Sequence, residues 1–119
     1  MTLATLVTGS TASAREAAIA HAIDPERSNA LILEGLPDGN SRLDQFLPSP
    51  RFHVARIAPG CLCCTGNLTM RVTLNRMLRG KPDQLYIALA TDAHLDQIRL
   101  FLSQAPYDNL LCLTKDLHA

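Results

Sequence analysis

The strongest constraint on this chain is a rhythm. Short apolar runs alternate with segments of helical periodicity. Leu3 to Gly9, Ala30 to Leu33, His53 to Ala58, Leu85 to Ala90 and Leu110 to Thr114 read as five strands. Between them, Ala12 to Ile23 reads as an Ala-rich helix that Pro25 forbids from continuing. A second helix, capped by Asn67, places Met70, Leu74, Met77 and Leu78 on one face, with Arg79 in its last turn and Gly80 closing it. A third carries Leu95, Ile98, Phe101, Leu102 and Ala105, opens at Thr91 or Asp92 and ends before Pro106. Leu36 to Pro50 is the longest irregular stretch, with room for one short helical turn around Ser41, Leu43, Asp44, Phe46 and Leu47. Strands separated by helices predict an α/β fold, a mostly parallel sheet of about five strands with helices on both faces. Ligands are then expected beyond the carboxyl ends of the strands, on the loops that follow Val7-Thr8-Gly9 and Arg56-Ile57-Ala58. The 119 residues suit a single domain, 1–119, and contain no repeat or linker.

Composition removes several classes of function. Eleven basic residues balance eleven acidic ones, and only 4% of residues are aromatic, so neither a phosphate-tracking surface nor a base-stacking platform is expected. Nucleic acid is therefore excluded as a partner. Leu85 to Ala90 is among the longest apolar runs, far short of the ~20 residues a membrane helix needs. Ala12-Ser13-Ala14 imitates a signal-peptidase site, but nothing basic precedes it and Leu3 to Val7 is too short an apolar region for secretion. A cytoplasmic protein is expected. The arginines at 51, 56, 71, 76 and 79 are assigned by default to solvated faces, the last two suiting a helix C-terminus.

Chemistry concentrates in Gly60-Cys61-Leu62-Cys63-Cys64-Thr65-Gly66-Asn67. Three thiols in four positions, between a strand and a helix N-terminus, sit where thiolate is favoured, and thiolate is the ligand that Zn²⁺, Cu⁺ and similar ions take. Pro59-Gly60 and Gly66 let the loop curl, and His53, Glu34, Asp38, water or a partner chain are candidates for a fourth ligand. Two other readings stay open at this point: buried structural cysteines, and a Cys61–Cys64 redox pair. Cys112, inside an apolar strand, is expected in the core.

A second motif lies at the start, where the first strand runs into Gly9-Ser10-Thr11-Ala12-Ser13-Ala14-Arg15-Glu16 and then a helix. This is the place and length of a phosphate-binding loop, G-x-x-x-x-G-K-[ST], of which only Gly9 survives. Ala14 adds a Cβ where backbone must approach an anion, Arg15 replaces the lysine, and Glu16 puts negative charge where phosphate would sit. Gly9, Ser10, Thr11, Ala14 and Arg15 are the residues such a degenerate loop would use.

Read together, the two motifs resemble the CobW/HypB/UreG family of P-loop GTPases, specifically its CobW-like branch, along nearly the whole chain. Gly60-Cys61-Leu62-Cys63-Cys64 matches that family's signature without a gap. Ala30 to Glu34 looks like its second strand, with Asp44 in the place of its following Asp; Lys81 to Ile87 and Leu110 to Asp116 look like the next two strands. The departures are specific. The family's lysine and Mg²⁺-binding threonine fall on Arg15 and Glu16, and its Glu-Thr-Thr-Gly stretch falls on Ala88 to Thr91. Its second-strand Glu aligns ungapped with Gly35, so Glu34 takes that role only after a one-residue shift. The guanine-specifying N-K-x-D is not matched, because Thr114-Lys115-Asp116 lacks the intervening residue, and the family's C-terminal domain is not expected.

The resemblance thus implies a P-loop NTPase-like domain, shortened at its C-terminus, that has lost nucleotide chemistry and kept a metal motif. Zn²⁺ or another thiophilic ion is the implied ligand at Cys61, Cys63 and Cys64, and GTP is not expected. Implied partners are the metal ion and either a second copy of the chain or a client metalloprotein. The alternatives are a metallochaperone relative that keeps weak GTP binding or hydrolysis through Arg15, and a scaffold subunit with no ligand.

Overall fold

The computed structural model describes the chain except for residues 40, 58–67 and 94 and the side chains of residues 68 and 69. In chain order its elements are β1 (Thr2–Thr8), α1 (Ala12–Ala22), β2 (Asn29–Glu34), a 3-10 turn (Arg42–Phe46), β3 (Phe52–Ile57), α2 (Leu68–Arg79), β4 (Gln84–Ala88), α3 (Leu95–Leu102), a second 3-10 turn (Tyr107–Asn109), β5 (Leu111–Leu113) and β6 (Leu117–His118). The strands form one sheet in the order β3-β2-β4-β1-β5, with β6 also pairing with β1. Among the described residues every pairing is parallel. The expected α/β class is therefore present.

The sheet forms because its central strands are apolar on both faces. β2 is buried at every position, and β4 is buried from Leu85 to Ala88. One face of the sheet packs Leu6, Ile32 and Ile87 against Met70, Leu74 and Leu78 of α2 and Ile98 and Leu102 of α3. The other face packs Val7, Leu31, Leu33 and Tyr86 against Ile19 and Ile23 and against Leu43 of the first 3-10 turn. Leu74 is fully buried. Leu74→Ala is expected to cost about 2–5 kcal/mol, read as a lower urea midpoint with an unchanged m-value.

Three local expectations need correction. The residue with left-handed backbone after α2 is Lys81, at φ 49°, and not Gly80, whose N–H simply closes a turn to Met77 O at 3.2 Å. The last strand does not run through Thr114. It breaks after Leu113 and resumes as β6, so β1 is paired by β5 at Thr2 to Ala4 and by β6 at Val7 and Thr8. Cys112 is exposed. It sits on an edge strand beside Leu3, itself 41% exposed, on a part of the sheet face that α1 does not cover. The proposed Asn67 cap of α2 lies outside the described residues.

Candidate functional site

The carboxyl ends of β1 to β4 lie at one end of the sheet, and the chain's buried charges gather there. α1 begins with Thr11, whose hydroxyl accepts from Ala14 N at 3.0 Å, a side-chain cap of the exposed helix start. The face that α1 turns inward is unusual. Besides Ile19 it buries Arg15, 4% exposed, and Glu16, 1% exposed. Long charged side chains are almost never buried unless paired; Glu16 is paired with Arg56, and Arg15 is held by main-chain carbonyls.

Arg15 folds back across its own loop. Its Nη1 donates to Gly9 O at 2.9 Å, and its Nη2 donates to Glu34 O at 3.1 Å. Nε is buried with no partner among the described residues. Burial draws the Arg15 guanidinium below its ordinary pKa, an effect the Glu34 and Glu16 charges partly offset. Glu16 is held by a bidentate ion pair with Arg56 on β3, both N···O distances being 2.9 Å. Ser41 Oγ donates to the same carboxylate at 2.5 Å while accepting from Leu43 N. The hydrogen bond to Glu16 is the main cause of an Arg56 pKa above the usual guanidinium value. Glu34, also 1% exposed, accepts from Ala90 N at 2.5 Å just past β4.

Beside this charged set, Thr8, Gly9, Ser10, Ala90, Thr91, Asp92, His118 and Ala119 line an open cleft of about 390 Å³. β6 forms one wall. His118 Nδ1 lies 2.7 Å from Thr8 Oγ1, and Ala119 N donates to Thr8 O at 2.7 Å. Gly9 is required at this point, because a Cβ there would stand 2.7 Å from Ala119 Cβ and 3.1 Å from Arg15 Cγ.

Of the residues expected in a degenerate phosphate loop, Gly9 and Ser10 face the cleft, Thr11 and Ala14 make the helix cap, and Arg15 turns into the protein. Cys61, Cys63 and Cys64 lie outside the described residues. Among the described residues no three His, Cys, Asp or Glu side chains gather as a metal site. The candidate fourth ligands separate by position. Glu34 ends β2 and Asp38 follows it on an exposed loop, both at the carboxyl end of the sheet. His53 is exposed near the opposite end of β3, four residues before Ile57 and so roughly 13 Å along the strand. Asp44 is exposed on the first 3-10 turn.

Arg56 is exposed, as its default assignment has it, and it is also the partner of Glu16. Arg51 contacts Glu26 at 3.5 Å, and Arg71 lies 5.6 Å from the centroid of the Phe101 ring. Ser41, Ala90 and His118 also belong to this end of the sheet; the turn signal at Ser41 marks its cap of the first 3-10 turn, but the contacts of all three with distant residues have no local sequence pattern. Among the described residues no helix is long and apolar enough to cross a membrane.

No family model matches the chain, and no solved structure matches it at a significant level. A curated protein does. The chain is 33% identical over 113 residues to the zinc chaperone YeiR of Escherichia coli (strain K12), a match that covers 91% of this chain and 34% of that protein. The chain thus spans about a third of the length of this relative. The parallel sheet, the strand–loop–helix at its start and this match together bear out the resemblance read from the sequence: the chain is a distant homologue of the CobW-family P-loop GTPases.

Proposed function

We propose that the chain is a metal-handling relative of these GTPases that does not use nucleotide, and that Cys61, Cys63 and Cys64 carry Zn²⁺ or another thiophilic ion as cargo. The observation that supports the first half is the fate of Arg15 and Glu16. A phosphate loop needs a cation free to reach the phosphates and a hydroxyl for Mg²⁺. Here both terminal nitrogens of the cation are committed to main-chain carbonyls, and the hydroxyl position holds a carboxylate already bound by Arg56 and Ser41. These residues do not fit a magnesium nucleotide, so no hydrolytic step is assigned to them. What supports the second half is the donor set, three thiols in four positions, together with the zinc-chaperone relative.

In this reading residues 1–119 act as one CobW-like unit in the reducing cytoplasm, where thiols stay available for metal. A second copy of the chain or a client metalloprotein receives the ion. Calorimetric titration with GTP and Mg²⁺ up to millimolar nucleotide is expected to give no saturable heat. Saturable, Mg²⁺-dependent binding would favour the second reading, a weak nucleotide binder, for which the cleft beside Gly9 and Ser10 leaves space.

A further inference from the structure

We propose that Arg15, Glu16, Glu34, Ser41 and Arg56 form a built-in clamp that holds the carboxyl ends of β1 to β4 in one arrangement without any ligand. The proposal rests on the nucleotide-free reading above and deepens it, because it assigns a positive role to the residues that depart from the phosphate-loop pattern. Four strand ends are joined by side chains from one helix turn, two strands and the loop after β2. Arg15 links Gly9 O, beyond β1, to Glu34 O, the last residue of β2. The Glu34 side chain then accepts from Ala90 N, beyond β4. Glu16 ties α1 to β3 through Arg56 and to the loop after β2 through Ser41. In addition, Gly35 N donates to Ile57 O at 2.9 Å, so the main chain continues the same lacing between β2 and β3.

The arrangement is suited to rigidity. A guanidinium fork bound to two carbonyls and a carboxylate bound at both oxygens fix direction as well as distance. The contacts are buried or part-buried, which strengthens them and makes their loss costly. Strand-end loops that depend on a ligand belong to the low-stability part of a fold and open locally without it. Here the contacts such a ligand would supply come from the chain itself.

Native-state amide exchange of the full chain tests this, with Gly35 and Ala90 as reporters and the buried β2 amide of Ile32 as a control. In the unaltered protein both reporters are expected to be strongly protected, and GTP with Mg²⁺ should leave them unchanged. Arg15→Lys keeps the charge but loses the fork, and Glu16→Gln keeps the shape but loses the ion pair. Each is expected to speed exchange at the reporters about tenfold or more relative to Ile32. If both variants leave the reporter-to-control ratio unchanged, the clamp is wrong and the nucleotide-free reading survives. If the unaltered protein gains reporter protection only with GTP and Mg²⁺, both fail together.

Discussion

Replacing one thiol of the crowded trio, as in Cys63→Ser, is expected to lower affinity for Zn²⁺ or Co²⁺ by more than about 100-fold. Loss of a residue that merely orients a metal ligand costs about 10–100-fold in affinity, so loss of a ligand itself should exceed that range. A hydroxyl does not ionise near neutral pH and is a poor donor to a thiophilic ion, whereas a thiol ahead of a helix N-terminus is displaced toward thiolate. The segment 61–64 precedes α2, which starts at Leu68, by only a few residues. Cys112→Ser is the matched control. Its thiol is exposed on edge strand β5, and its removal should leave metal affinity unchanged. Competition against a chromophoric chelator reads both variants. Equal affinity for Cys63→Ser and the unaltered protein would remove Cys63 from the site.

The second large effect concerns stability, and it is asymmetric. Arg56→Met should destabilise the fold by up to about 3–5 kcal/mol, the range for leaving a buried charge without its partner. Glu16, 1% exposed in the unaltered protein, would keep Ser41 as its hydrogen-bond donor among the described residues. Glu16→Gln should cost less, about 1–3 kcal/mol, because the Arg56 side chain is 30% exposed and can rehydrate when its partner goes. The amide can also keep an acceptor for Ser41. Chemical denaturation of the two single variants and the double variant checks the ordering. The double variant should fall well short of the sum of the singles, because one interaction is removed twice in that sum. Full additivity would mean that the pair contributes nothing of its own.

The same pair shows where sequence reading stops. The strands of the sheet were legible because apolar runs such as Leu31-Ile32-Leu33 and Leu85-Tyr86-Ile87 can only be buried on two sides. α2 and α3 were legible because their apolar residues recur at helical spacing. α1 was legible as a helix, yet the role of its inner face was not. Arg15 and Glu16 looked like damage to a phosphate loop, and nothing local says that Glu16 meets Arg56, forty positions away, across the sheet. Arg56 in turn was read as a solvated arginine, which it is, and nothing local marks its carboxylate partner. Cys112 misled for the opposite reason, since an apolar strand predicts burial, while a three-residue strand at the sheet edge leaves one face open. The break between β5 and β6 depends on how Thr114 N reaches Ala4 O and Ala119 N reaches Thr8 O, contacts that no short window of sequence encodes.

The site read from the sequence therefore divides. Its phosphate-loop half has a physical explanation in the fold, as a set of charges that satisfy one another. Its cysteine half, Cys61, Cys63 and Cys64, falls outside the described residues and rests on thiol chemistry and on homology to a zinc chaperone. Stripping metal with a chelator is expected to leave the core folded, because apolar side chains packed on both faces of the sheet build it.

The most direct test of the account is an anaerobic Co²⁺ titration of the fully reduced protein, followed by absorbance, with Zn²⁺ added afterwards. An intense sulfur-to-cobalt charge-transfer band that saturates near one ion per chain or per pair of chains, and that Zn²⁺ bleaches, is the predicted result. Absence of that band at any Co²⁺ ratio would contradict the account, since the three thiols would then not converge on a metal and the chain would not be a carrier of one.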